Sequence, residues 1–239
     1  MSGHVVAIGG GGFAVDPGDL VLDEFALALS PRQPPRVCFL PTASGDSATY
    51  LVKFYRTFSG RCTPTDLTVF DSPVLPRWPP RSADLAAHLA EQDVICVGGG
   101  NTANMLSIWR AHGVDVLLRE AWSRGAVLTG VSAGMICWFR GGLTDSFGAL
   151  EPLRDGLGLV EATACPHYDS EEGRRPAYHQ LIADGFGAGY AADDGAALHF
   201  TGSELTEVVS SRPEAGAYRV ELVDGKVVET RLPCRRLNA

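Results

Sequence analysis

The sequence predicts an α/β fold built on a parallel sheet. Short apolar runs alternate with longer amphipathic stretches, the pattern of repeated βαβ units. Two glycine-rich turns, Gly98-Gly99-Gly100 and Gly130 to Gly134, each follow a buried strand-like run. A β-hairpin signal, Asp224-Gly225 between two strand-like runs, lies near the end of the chain.

Taken in order, residues 4–8 read as the first strand, running into Gly9-Gly10-Gly11-Gly12. Residues 19–29 have helical periodicity, and 36–40 form a second strand stopped by Pro41-Thr42. A helix follows over 46–58, then a threonine-rich strand over 63–70 and a Pro/Arg-rich loop over 73–81. The middle of the chain is the clearest: a short helix over 84–91, a buried strand over 94–97, and helices over 101–111 and 114–124. A strand over 126–131 then leads into Ser132 and an apolar, helix-like run. Beyond it the spacing predicts strands over 157–164, 189–192 and 197–201, with a helix over 175–184. The hairpin comprises 218–223 and 227–231.

The chain has 239 residues, 45% hydrophobic and 20% charged, with 28 glycines and 15 prolines. That composition excludes disorder, collagen and coiled coil, and it fits one domain over 1–239. The net charge of −8 comes without any basic stripe, so nucleic acid is not an expected partner. No apolar run reaches the length of a membrane span, and no signal segment opens the chain. A cytoplasmic protein with no membrane partner is therefore expected. Six scattered cysteines without a CxxC pair point to reduced structural thiols and to no metal. The oligomeric state is left open, a homodimer among the options.

The strongest chemical signal is Gly130-Val131-Ser132-Ala133-Gly134, a G-x-S-x-G between strand and helix. A sharp turn there exposes Oγ, and the helix start behind it points amides at developing negative charge. Gly98-Gly99-Gly100 also leaves a strand end, where backbone N–H groups can approach a substrate closely. Asn101, next in line, is a candidate for capping the following helix or for binding substrate. Of six histidines, His167 in Cys165-Pro166-His167-Tyr168-Asp169 follows a strand end and enters a polar turn, which makes it the candidate base. Asp145, Asp169, Asp193 and Asp194 are candidate acids that spacing does not separate. Gly9-x-Gly11-x-x-Ala14 fits a dinucleotide fingerprint only superficially. The second strand ends in Pro41-Thr42, not in the acid that binds a ribose, so no cofactor is expected.

In combination, GGGNTANML, GVSAGM, PHYD and ADDGAAL, spread over about 94–198, resemble the peptidase E and cyanophycinase family of serine peptidases. The resemblance implies a fold like that of class I glutamine amidotransferases: a flavodoxin-like, three-layer αβα sandwich with a mostly parallel central sheet. It implies Ser132 as nucleophile, His167 as base, and the N–H groups of Gly100 and Ala133 as the oxyanion hole. For the third triad member it offers Asp145 or Asp194. The second position is often Glu in the family, so Asp194 is a shorter acid there, though its place at a strand end after His167 favours it. It further implies a metal-free hydrolase of short peptides, above all dipeptides with N-terminal aspartate, held by a basic side chain beyond the histidine. Arg174 and Arg175 fit that role here. A related acyl hydrolase, cyanophycinase-like or an esterase or amidase, and a non-catalytic binding homologue are the competing readings.

Overall fold

The apolar runs of the first half pair side by side. In the computed structural model, which describes residues 3–70 and 85–238, the chain opens with β1 (His4–Ile8), α1 (Val21–Ala28), β2 (Arg36–Leu40), α2 (Ala48–Phe58) and β3 (Thr63–Asp66). Next come α3 (Leu85–Ala90), β4 (Val94–Val97), α4 (Thr102–His112), α5 (Val114–Ser123), β5 (Val127–Val131) and α6 (Ala133–Ile136). The second half comprises β6 (Phe139–Thr144), β7 (Glu151–Leu153), β8 (Val160–Cys165), α7 (Arg174–Ala183), β9 (Gly189–Ala192) and β10 (Ala196–Thr201). It closes with β11 (Glu204–Ser210), β12 (Ala217–Val223), β13 (Lys226–Arg231) and β14 (Cys234–Arg236). The loop expected over 73–81 lies outside the described residues, as does the first residue of the helix expected over 84–91.

An eight-stranded sheet runs β14-β11-β10-β1-β5-β4-β2-β3, and its five strands from β1 to β3 are mutually parallel. Side chains of a strand alternate between faces, and here the alternation sorts them into two cores. Val5 and Ala7 of β1 and Cys38 and Leu40 of β2 join Trp109 of α4 and Leu118 of α5. Val6, Ile8, Val37 and Phe39 point the other way, onto Leu22 of α1 and onto Phe54 and Phe58 of α2. Helices thus cover both faces of the sheet, the three-layer arrangement. A further, six-stranded sheet runs β13-β12-β9-β8-β6-β7. Its own core includes Tyr178 and Ile182 of α7 against Leu143 and Val220.

Three expectations need correction. The helix-like run after Ser132 is one turn, because Phe139–Thr144 leaves as β6 and pairs in parallel with β8. The strand over 63–70 ends at Asp66, since the N–H groups of Val69 and Phe70 turn back to the Asp46 carboxylate. β7, β11 and β14 are additional strands. The hairpin forms around Asp224-Gly225, both with positive φ (49° and 75°), the backbone of a tight two-residue turn.

One buried acid gives the fold a pH dependence. Asp23 of α1 accepts the Phe13 N–H at 3.0 Å, and burial pushes its carboxyl up to about 7. The folded state therefore keeps a proton that the unfolded chain releases at about 3.9. The associated stability is complete below that value and is lost as pH rises toward 7. The urea midpoint is expected to fall between pH 4 and pH 7 more steeply for wild type than for Asp23→Asn; parallel curves exclude the effect.

Candidate active site

Three adjacent parallel strands, β4, β5 and β1, deliver their carboxyl ends to one edge of the large sheet, the position at which open α/β folds place ligands. From β5 the chain turns sharply at Ser132 (φ 58°, ψ −109°) into α6. A non-glycine residue holds such a conformation only when its surroundings impose it. Gly130 and Gly134 make the turn feasible: a Cβ on Gly130 lies 2.5 Å from the Gly134 carbonyl oxygen, and one on Gly134 lies 2.4 Å from that of Val97. The Ser132 N–H donates to Ile8 O at 3.2 Å, locking the turn to β1.

From β4, Gly100 takes φ 136° and passes close over Ala43, while the Asn101 N–H donates to Ala43 O at 2.8 Å. Among the described residues, neither the Gly100 N–H nor the Ala133 N–H donates a hydrogen bond within the protein. Asn101 does cap α4, its Oδ1 accepting the Asn104 N–H at 2.9 Å, while its Nδ2 donates to Ser146 O.

His167, two residues past β8, also has positive φ (54°), and its N–H donates to Gly9 O at 3.2 Å. Its Nδ1 meets Asp194 Oδ1 at 2.7 Å. Burial opposes the charge of Asp194, but hydrogen bonds from His167 and Ser170 and the charges of His167 and Arg212 outweigh it. They hold the carboxyl below the usual carboxylate range. The Asp194 backbone bridges to Gly10 at the end of β1, and the Gly195 N–H donates to Gly10 O at 2.8 Å.

A cavity of about 270 Å³ opens at this edge, lined by Gly100, Asn101, Ser132, Asp145, Ser146, Glu171 and Arg174. The geometry separates the two candidate triad acids: Asp194 contacts His167, and Asp145 stands exposed on the cavity wall. It also separates the two arginines. Arg174 is buried on the cavity, its guanidinium paired with Glu171 and donating to Leu143 O at 3.3 Å. Arg175, expected at the substrate, is instead absent from the cavity wall. It pairs with Glu229 and lies over the rings of Tyr168 and Tyr218, each centroid 5.3 Å away. Asp193 is structural, accepting the Gly216 N–H at 3.0 Å. Arg212, which no sequence motif marks, pairs with Asp169 at 2.6 Å. Burial pushes the nearby Cys165 thiol up to about 12, against the opposing charge of Arg174, so it stays protonated at neutral pH. Among the described residues no group of three or more His, Cys, Asp or Glu side chains is placed to hold a metal ion.

A serine on a strained strand-to-helix turn, at the ligand edge of a doubly covered parallel sheet, is an arrangement with which hydrolases attack through a hydroxyl. Comparison with known proteins narrows that class. Residues 5–208 match Peptidase family S51; the chain belongs to this family and is a serine-type peptidase. The match extends well upstream of the motifs between 94 and 198. Over 236 residues the chain is 50% identical to the uncharacterized peptidase YgaJ of Bacillus subtilis (strain 168), covering 98% of this chain and 99% of that protein. Two solved structures share the fold. A peptidase from an acI-B1 actinobacterium has a TM-score of 0.64 at 18% identity, over 98% of this chain and 95% of its own. A candidate peptidase E from Listeria monocytogenes EGD-e has a TM-score of 0.61 at 19% identity, over 98% and 100%.

Proposed function

We propose that the protein hydrolyses short peptides, foremost dipeptides with N-terminal aspartate, through a Ser132–His167–Asp194 triad and an acyl-enzyme. The observation that carries this reading is the 2.7 Å contact of His167 Nδ1 with Asp194 at the edge where Ser132 lines the cavity. Asp194 orients the imidazole so that Nε2 takes the Ser132 proton as Oγ attacks the peptide carbonyl. The Gly100 and Ala133 N–H groups receive the oxyanion. His167 then protonates the leaving amine, and water attacks the acyl-enzyme by the reverse path. A cytoplasmic location belongs to the same reading, supported by six cysteines that are all free thiols.

Gly10 gives the triad a steric test. A Cβ at Gly10 lies 1.9 Å from Asp194 Oδ1 and 2.8 Å from His167 Nδ1, so Gly10→Ala must push the pair apart. Peptide hydrolysis is expected to slow by about 100-fold, the scale of a misplaced catalytic group. Undiminished kcat in a folded Gly10→Ala variant counts against the triad.

The aspartate preference rests on Arg174, whose buried guanidinium suits a substrate carboxylate. Hydrolysis of Asp-Leu is to be compared with Glu-Leu, Leu-Leu, β-linked Asp-Arg and a simple ester. Asp-Leu is expected to be cleaved fastest. Arg174→Met should lower kcat/KM for Asp-Leu by about 10- to 100-fold, the worth of one charge-assisted hydrogen bond, and leave Leu-Leu unchanged. Equal cleavage of Leu-Leu and Asp-Leu by wild type rejects the preference, and turnover of the ester or β-linked substrate alone redirects it.

A further inference from the structure

His167 and Asp194 stand on different strands, two residues beyond β8 and two beyond β9. Besides their 2.7 Å side-chain contact, the Tyr168 N–H donates to Ala192 O at 3.1 Å and so ties the two turns just short of the acid. A further connection reaches the main chain of Asp194 itself. Asp169 Oδ1 accepts the Asp194 backbone N–H at 2.8 Å, and Asp169 Oδ2 accepts from Arg212 Nη2 at 2.6 Å. The turn that carries the base therefore grips the main chain of the acid. Arg212, between β11 and β12, folds over Gly195, where a Cβ would lie 2.9 Å from both its Cγ and its Nε. The neighbouring Ser211 N–H donates to Gly195 O at 2.9 Å, so this turn fastens to the residue after Asp194.

The two side chains are 48% and 38% exposed, and an ion pair so placed contributes little to stability. Its specificity is geometric: one carboxylate joins a guanidinium to the backbone of the acid. The groups that act on the Asp194 carboxyl are His167 and Ser170 from the segment after β8, and Arg212 from the turn before β12. Asp193 faces away, toward the Gly216 N–H and the Tyr218 hydroxyl.

We propose that Asp169 and Arg212 are positioning residues that hold Asp194 in register with His167. The inference rests on the triad reading above. Asp169 serves Asp194 as a hydrogen-bond acceptor, a role Asn can fill and Ala cannot. Arg212 contributes a positive charge, which Lys can supply and Met cannot.

The test is the rate at which a fluorophosphonate probe inactivates the protein, followed across pH, with melting temperature as the folding control. Asp169→Ala is expected to lower the maximal inactivation rate by about 10-fold or more while the half-saturating probe concentration stays within about 2-fold. Asp169→Asn, which keeps the acceptor for the Asp194 N–H and loses the Arg212 pair, should stay within about 3-fold of wild type in maximal rate and share the acid-limb shift of Arg212→Met. Arg212→Met should move the acid limb of the profile to higher pH, and Arg212→Lys should restore it. Should Asp169→Ala fail to fold, the Asn and Arg212 variants decide alone. Rates and profiles that coincide with wild type in Asp169→Ala and Arg212→Met overturn the inference while leaving the triad intact. Equal slowing by Asn and Ala at position 169 assigns a merely structural role and also overturns it. A wild type that does not react, or a Ser132→Ala variant that reacts as fast, removes the triad itself.

Discussion

Ser132→Ala is expected to lower kcat for peptide hydrolysis by on the order of 10⁶-fold, about 8 kcal/mol of barrier, without loss of fold. The expected size follows from the lack, among the described residues, of a substitute nucleophile on the cavity wall. Ser146 also lines it, but its Oγ is bound to Thr144 Oγ1 at 2.7 Å and to the Ala103 N–H. Cys137 and Cys165 are buried, and burial raises both thiols, so neither offers a thiolate at neutral pH. The residual rate should be that of the oxyanion donors and of substrate positioning alone. Steady-state hydrolysis of Asp-Leu by the two proteins, each checked by circular dichroism, measures it.

Asp194→Asn carries the next largest effect, a fall in kcat of about 10⁴-fold with KM little changed. An amide presents a donor as readily as an acceptor to His167 Nδ1, so the imidazole tautomer that leaves Nε2 free as a base is no longer favoured. Asp145→Asn is expected to leave kcat far less affected, since among the described residues Asp145 makes no hydrogen bond to His167. Kinetics of the two variants side by side distinguish the acids; the opposite ranking transfers the role to Asp145.

The inner strands β1, β5, β4 and β2 of the large sheet were legible because a strand covered on both faces reads as a continuous apolar run. Residues 36–40, RVCFL, are such a run, and β2 occupies that span. Beyond Ser132 the same property misleads. Met135-Ile136-Cys137-Trp138-Phe139 is apolar on every side, so periodicity does not show where one turn of helix gives way to β6. The glycines at 141 and 142 then disguise a strand as a turn.

In the site, Ser132 and His167 carry local signatures: a glycine-flanked turn and a strand end. The acids do not. Asp145 and Asp194 both follow strand ends, and only the meeting of β1, β8 and β9 brings Gly10, His167 and Asp194 together. Arg174 and Arg175 are neighbours at a helix start and point about 100° apart, so one can face the cavity while its neighbour turns to Glu229. Arg212 sits in a turn with no pattern around it; its link to Asp169 exists only in three dimensions.

The most direct test of Ser132 as the activated nucleophile is to label the native protein with a fluorophosphonate and locate the adduct by peptide mass spectrometry. A single adduct on Ser132, formed slowly or not at all in Asp194→Asn, is the predicted result. An adduct on another residue, or a folded and unreactive protein, contradicts the account.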